Sequence, residues 1–280
     1  MIRLLLVAFL FFSLSTAQAQ AKRLDVMSFN IRCGSCEKPD DVNHWDRRKY
    51  LVADLIRKQQ PDLIGLQEAE LFQVRDLAAM LGNYEWIGVG RDDGKEQGEA
   101  NAVLFRKARF KLLTQETLWL SATPGQIGKG WDAALNRTAS IVRLRDRDSA
   151  QELFLLNTHF DHLGQQARME SSKLVVGLVR SMAGKLPVIV TGDFNYTRQF
   201  AGYAIVADLL RDAEQIAGRQ AQGGTISFND FGKSIEPDKK IDFIFVNDDV
   251  EVVSHRIITD RYQGRYPSDH YPLQAELRLR

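Results

Sequence analysis

The chain alternates short apolar runs with polar loops, and their spacing predicts most of its elements. Leu24 to Arg32 predicts a first strand with Asn30 at its end, although positions 24, 26 and 29 keep the alternation only loosely. Leu51, Val52, Leu55 and Ile56 have the i, i+1, i+4, i+5 spacing of one buried helical face, which predicts a helix from His44-Trp45 to about Lys58. Pro61-Asp62 restarts the chain as strand Leu63 to Gln67, followed at once by Glu68. Phe72 to Leu81 reads as a helix closed by Gly82-Asn83, a pair that stops helices. Tyr84 to Arg91 and Ala102 to Arg106 read as strands around a charged D-D-G-K-E-Q-G-E loop, and Phe110 to Leu120 as one strand or two short ones. Ala139 to Arg145 and Glu152 to Asn157 read as the arms of a hairpin, and a helix from about Gln166 to Ala183 leads into a strand at Val188 to Val190. Beyond it the pattern predicts a helix near Tyr203 to Ile216, strands Ile241 to Val246 and Val250 to Thr259, and a last alternating strand, Leu273 to Leu279.

Polar residues stand where several of these strands stop. Val188, Ile189 and Val190 form a β-branched run suited to a strand buried on both faces, and Asp193 and Asn195 follow it. Residues two apart in extended chain project to one side, so a carboxylate and a carboxamide share a face there. Both are also ordinary turn formers. The same device recurs: Asn30, Glu68, His159, Asp193 with Asn195, Asp242, and Asp269 with His270 come from six separated segments. In layered α/β proteins ligands gather where strand ends meet. Oxygen donors such as Glu68, Asp193, Asn195 and Asp269 suit Mg²⁺ or Mn²⁺ rather than zinc, while histidines suit proton transfer. Each residue also has a plainer role open to it. Glu68 can cap a helix, Asp242 can be an acid satisfied by backbone donors, and Asp269-His270 can be a surface turn. The irregular stretch from Ser121 to Arg137 is of a length that usually serves binding, and its Trp131 reads equally as a base-stacking platform or a buried anchor.

Composition and the chain start narrow the setting. Residues 1–19 carry one positive charge (Arg3), an apolar run from Leu4 to Leu14 and an A-x-A ending, the pattern of a secretory signal peptide cleaved near Ala19. The remaining residues, 22–280, read as one domain, a monomer without membrane insertion, in the periplasm or outside the cell. With 37 basic and 36 acidic residues the chain lacks the basic excess of a tight polyelectrolyte binder. Its two cysteines, Cys33 and Cys36, read as a local disulfide in an oxidising compartment. Thiol redox chemistry would place C-x-x-C at the start of a helix, and zinc would need a second pair of ligands.

The ordered set S-F-N-I-R, L-Q-E, N-T-H-F-D-H, T-G-D-F-N, I-D-F-I-F and Y-P-S-D-H resembles the signature of the endonuclease/exonuclease/phosphatase superfamily, over about Leu24 to Leu279. Three further stretches, W-I-G-V-G-R-D-D-G-K, G-W-D-A-A-L and T-D-R-Y-Q-G-R-Y-P-S-D-H, are closer to a bacterial, often secreted branch that is similar to the mRNA deadenylases. The resemblance implies an α/β fold, a four-layer α/β sandwich of two packed mixed β-sheets flanked by helices. It implies a metal-dependent hydrolase of phosphodiesters or phosphomonoesters, first of all a nuclease or exonuclease-like phosphodiesterase acting on single-stranded or short nucleic acid. A phospholipid head-group or sugar-phosphate hydrolase is the alternative, and a non-catalytic binding module a more remote one. By the same resemblance Glu68 is the main Mg²⁺ ligand, Mn²⁺ being an alternative ion, with Asn30 and Asp269 assisting. Asp193 and Asn195 position or deprotonate the attacking water, and Asn195 with Asn30 contacts substrate. His270, paired with Asp242, stabilises the phosphoryl oxygens or acts as a base; His159 donates a proton or binds phosphate; Arg168 adds positive charge. Two positions depart from the pattern: Arg32 stands where the abasic-site endonucleases carry an acid, and Cys33 and Cys36 occupy a loop usually free of cysteine.

Overall fold

A computed structural model describes residues 23–233, 236–237 and 239–280. The signal peptide expected over residues 1–19, with its cleavage point, lies outside the described residues. In chain order the elements are β1 (Arg23–Asn30), α1 (Trp45–Gln59), β2 (Leu63–Gln67), β3 (Ala69–Glu70), α2 (Leu71–Leu81), β4 (Tyr84–Ile87), β5 (Glu99–Ala100), β6 (Val103–Arg106), β7 (Phe110–Trp119) and β8 (Thr138–Asp146). They continue with β9 (Glu152–His159), α3 (Gln165–Met182), β10 (Val188–Asp193), α4 (Ala201–Ala207), β11 (Arg211–Asp212), α5 (Ala213–Ala217), β12 (Ala221–Gln222), β13 (Asp242–Val246), β14 (Val250–Ile257) and β15 (Leu273–Leu279).

Two mixed sheets result. One runs β12-β14-β15-β1-β2-β6-β4 and the other β11-β13-β10-β9-β8-β7. Each has a parallel pair at its centre, β1 with β2 and β9 with β10, flanked by antiparallel neighbours. The period of two along each strand sorts side chains into three apolar layers. Leu24, Val26, Leu63, Leu155, Ile189 and Ile244 fill the space between the sheets. Met27, Phe29, Ile64 and Leu66 face outward onto Leu55 and Ile56 of α1 and Val74 and Leu77 of α2. Phe154, Leu156, Val188, Val190, Phe243 and Phe245 face the other way, onto α3 and α4. This is the four-layer sandwich that the motifs imply. Among the described residues no helix is long and apolar enough to cross a membrane.

Three local expectations need correction. The strand predicted over Tyr84 to Arg91 ends at Ile87, because Gly88 has φ 151° and Gly90 packs its Cα against the Gln97 backbone. The charged loop that follows is not featureless: its end, Glu99–Ala100, pairs with Ala69–Glu70. The helix predicted near Tyr203 to Ile216 is two short helices separated by β11, since Asp212 leaves the helix to pair with β13 and caps α5 by accepting from the Glu214 amide.

Candidate active site

The site begins as a change of polarity along four central strands. On the face between the sheets, Val26 is followed by Ser28 and Asn30, Leu63 by Gly65 and Gln67, Leu155 by Asn157 and His159, and Ile189 by Thr191 and Asp193. The inner residues of this polar layer satisfy one another. Gln67 donates to Ser28 Oγ (3.2 Å) and Asn157 Oδ1 (2.7 Å), the Thr191 hydroxyl donates to the same oxygen (3.0 Å), and Asn157 Nδ2 reaches the carbonyls of Leu66 (2.7 Å) and Ala102 (3.0 Å). Buried polar groups so paired cost little and fix the strand ends relative to each other.

The outermost residues form the site itself. Asn30 Nδ2 donates to Glu68 Oε1 (2.9 Å) and to Asp193 Oδ2 (3.0 Å), clamping two carboxylates from opposite sheets. Asp193 Oδ2 is 3.6 Å from His159 Nε2 and 3.7 Å from His270 Nε2, and Asp193 Oδ1 accepts the Asn195 amide (2.9 Å). His270 Nδ1 lies 2.9 Å from Asp242 Oδ2. Arg32, Glu68 and Asn195 have φ of 56°, 56° and 50°, in the left-handed region that non-glycine residues rarely adopt. Such conformations persist only where the surroundings impose them, and they gather at functional sites. Here the surroundings are visible: the Cys33 amide donates to Glu68 Oε2 (3.3 Å), and buried Arg48 of α1 holds the carbonyls of Ile31 and Arg32.

Burial and charge shift each group in its own direction. Burial would push His270 down, but the carboxylates of Asp242, Asp193 and Asp269 outweigh it and raise its pKa to about 10, so it is an imidazolium at neutral pH. Burial and the charge of Asp242 push Asp193 up to about 7, against the pull of His270. His159 goes the other way. Burial and then the Arg137 and Arg91 guanidinium groups hold it well below the ordinary histidine value, so its ring is neutral. Glu99 is raised to about 7 by burial and by the nearby Glu68.

Glu68, His159, Asp193, Asn195, Asp269 and His270 all line one cavity of about 460 Å³. Asn30 and Asp242 stand directly behind it through their bonds to Glu68, Asp193 and His270. Arg168 is not among the lining residues. It donates to the Asp161 carbonyl (3.0 Å) and stacks on Phe200, a role in seating the first turn of α3. Trp131 is absent from the cavity lining too, while its neighbour Asp132 caps α3 by accepting from the amides of Gln166 and Ala167. Several lining residues were not selected from the sequence: Glu99, Arg137, His162, Phe228 and Lys239. The signal for Arg137 was its place at the end of the long loop, one residue before a strand that pairs with the strand of His159. The Cys33–Cys36 disulfide is formed, and both residues border the same cavity.

The donor chemistry suits a hard divalent cation. Four carboxylates line the cavity, those of Glu68, Glu99, Asp193 and Asp269, and ligand atoms of Glu68, His159 and Asp193 lie within 4.8 Å of one another. Like charges this close raise one another's pKa unless a cation sits among them, and oxygen donors select Mg²⁺ or Mn²⁺ over softer metals. Asp269 is the exception within the set: Arg32 Nη1 takes its Oδ2 (2.6 Å) and the Ser268 hydroxyl its Oδ1 (3.1 Å).

A family model described as the endonuclease/exonuclease/phosphatase family matches residues 27–270. The solved endonuclease/exonuclease/phosphatase protein of Bacteroides vulgatus is similar over 92% of this chain and all of its own, with 36% identity and a TM-score of 0.87. A mannosyl-6-phosphatase of Bacteroides thetaiotaomicron is similar over 91% of this chain and 99% of its own, with 33% identity and a TM-score of 0.84. Nocturnin of Drosophila melanogaster is 28% identical over 194 residues, 65% of this chain, and the match spans only 28% of that longer relative.

Proposed function

Because the chain belongs to the endonuclease/exonuclease/phosphatase family, we propose that it is a secreted or periplasmic, Mg²⁺-dependent phosphomonoesterase acting on a compact polar molecule such as a phosphorylated sugar. The observation that carries this reading is the convergence of Glu68, His159, Asp193 and His270 on one cavity of about 460 Å³. Its cations are already balanced: Arg32 by Asp269, Arg137 by Asp161 (3.5 Å) and Glu99 (3.9 Å), and Lys239 by Glu236 (3.2 Å). Such a site suits one phosphate brought in with a metal ion, not a run of phosphates, which calls for a track of free basic residues. The likeness to a mannosyl-6-phosphatase over nearly the whole of both chains supports the same substrate class. The signal-like chain start and the Cys33–Cys36 disulfide support an oxidising compartment.

Glu68 is the ligand for the ion, with Asn30 and Asp269 beside it. Arg32 supplies a fixed positive charge at Asp269, so a single ion completes the balance. A divalent ion there neutralises phosphate charge and stabilises the leaving oxygen. Asp193 carries a raised carboxyl pKa and sits between two histidines, placed to orient a water and take its proton. His270, held by Asp242, presents a charged Nε2–H to the phosphoryl oxygens. Asn195 and His159 add neutral contacts on the other side of the same space.

One observation favours a second reading, removal of a terminal nucleotide: the Phe228 ring lines the cavity, T-shaped to His270 and under the Lys239 ammonium, an aromatic surface beside the site that a base can pack against. Turnover of mannose 6-phosphate, p-nitrophenyl phosphate, bis-p-nitrophenyl phosphate and a short oligoadenylate, each with Mg²⁺, Mn²⁺ or chelator, separates the two. The monoesters should give the highest kcat/KM, and titration of the chelator-treated protein with Mn²⁺ should show one tight site. Faster cleavage of the oligoadenylate selects the second reading, and turnover of none of the four removes both.

A further inference from the structure

Arg137 closes the long loop and lies almost wholly buried behind the cavity. Its Nη1 is 2.9 Å from His159 Nδ1 and its Nη2 is 3.1 Å from His162 Nδ1. A guanidinium has only N–H groups to offer and stays charged at any working pH. Each imidazole nitrogen that faces it must therefore present a lone pair. A neutral imidazole has one N–H, so in both rings that hydrogen sits on Nε2.

For His159 this choice has a chemical consequence. Its Nε2 is 3.0 Å from Asn195 Nδ2, and that same Nδ2 is anchored by donating to the Phe160 carbonyl (3.0 Å). Turning the Asn195 amide over would set its oxygen against the Phe160 carbonyl, so the nitrogen stays where it is. His159 is thus held between two donors while having one acceptor nitrogen. The charged donor, Arg137, makes the stronger bond and claims Nδ1. The opposite tautomer would press an Nδ1–H against a guanidinium N–H in a buried place. What remains at Nε2 is an N–H facing a second N–H, while Asp193 Oδ2 stands 3.6 Å off, too far to accept a hydrogen bond from it. One oxygen placed there satisfies both.

We propose that Arg137 is a positioning residue that fixes His159 and His162 as neutral Nε2–H donors, so that His159 and Asn195 form a two-donor cradle for one phosphoryl oxygen. This accounts for a guanidinium buried behind two histidines, and it divides the labour of the site: His270 is the cationic donor and His159 the neutral one. The identity of the bound oxygen rests on the phosphoric-ester reading above, whereas the tautomers do not.

Long-range ¹H–¹⁵N NMR of the ring nitrogens, on the folded chain at pH 7, reads the tautomers directly, with His159→Gln and His162→Gln supplying the assignments. The wild-type spectrum should show both Nδ1 atoms unprotonated and both Nε2 atoms protonated. A His159 with its hydrogen on Nδ1 overturns the proposal, and that result needs no variant at position 137 to fold. Adding inorganic phosphate should shift the His159 Nε2–H resonance; an unmoved resonance at saturating phosphate overturns the cradle. In Arg137→Lys, which keeps the charge but loses the two-pronged head, kcat should fall on the order of 10²-fold with KM within about threefold, the lower end of the effect of a lost oxyanion donor. A folded Arg137→Lys with wild-type kcat counts against the proposal. Should the tautomers be as stated while no phosphate ester is turned over, the positioning role stands and the hydrolase reading falls.

Discussion

Gly65 gives the sharpest test of how the two sheets set the site. A Cβ at this position would lie 2.2 Å from Thr191 Oγ1 and 2.5 Å from Asn157 Oδ1, in the polar layer beneath the cavity. Those atoms have nowhere cheap to go. Asn157 is held by Gln67, Thr191 and two backbone carbonyls, at 2.7 to 3.0 Å. Restoring an ordinary contact distance needs a local separation of about 1 Å, and overpacking of this kind costs about 1–3 kcal/mol. If Asn157 swings away instead, each broken buried hydrogen bond adds about 1 kcal/mol. Gly65→Ala should therefore take the cheaper route, parting of the sheets, and lose about 1–3 kcal/mol, a sizeable share of the 5–15 kcal/mol typical of a domain. The strands pushed apart end in Asn30 and Glu68 on one side and His159 and Asp193 on the other, so kcat should drop on the order of 10²-fold, the usual effect of a 1 Å misplacement. Gly177→Ala is the matched control. It makes the same chemical change in α3 with nothing within 4 Å of the new methyl, and helix propensity predicts a gain of about 0.5–1 kcal/mol. Urea unfolding followed by tryptophan fluorescence, beside turnover of p-nitrophenyl phosphate, reads both effects. A Gly65→Ala protein as stable and as active as wild type would show that the sheets can part without cost and that the polar layer does not position the site.

Asp193→Ala and His270→Ala should each lower turnover by on the order of 10²-fold or more while leaving the fold intact by circular dichroism, and near-normal activity in either removes its assigned role. His270 has a folded pKa raised to about 10 from 6.5, so its contribution to stability is fully present below about 6.5 and is lost as pH rises through about 10. Metal-free urea midpoints should accordingly fall across that window in wild type and fall less in Asp242→Asn; parallel pH curves would refute the pairing. Cys33 and Cys36 close a loop only three residues apart in sequence, for which chain entropy predicts roughly 2 kcal/mol of stabilisation. Reduction, or Cys33→Ser with Cys36→Ser, should cost about that much and weaken Mn²⁺ binding in a calorimetric titration, because the Cys33 amide holds Glu68. Unaltered Mn²⁺ affinity in the reduced protein would separate the loop from the ion site.

The fold was legible because its central strands are written in period two, with apolar residues on both faces until the last two positions. That same rule placed Asn30, His159, Asp193 and Asp242, whose side chains point between the sheets by parity with Val26, Leu155, Ile189 and Ile244. Glu68 and Asn195 were found as neighbours of strand ends, although the left-handed backbone that aims them cannot be read from residue type. Glu99 was hidden by its setting, a charged loop that looks solvated in sequence but folds its last residues back onto Ala69–Glu70. Arg168 shows the converse error. A cation next to the histidine segment suggested the cavity, yet its helix start needed seating, and Asp161 and Phe200 claim it.

The same contrast explains which charges the site can use. What a carboxylate can do depends on the partners that its backbone and neighbours give it, and sequence gives no account of those partners. Asp269 gives one oxygen to the Arg32 guanidinium, whereas Asp193 has neutral donors on both oxygens, Asn30 Nδ2 on Oδ2 and the Asn195 amide on Oδ1, with Oδ2 also lying between His159 and His270. Two aspartates in similar strand-end motifs thus have different surroundings, one paired with a guanidinium and the other held by neutral donors beside two histidines. Arg32 follows from this as a counterweight: it contributes a permanent positive charge at the cavity without taking the oxygen atoms of Glu68. The protein thus holds part of the balance of the site's carboxylates in its own side chains, Arg32 at Asp269 and Arg137 near Glu99.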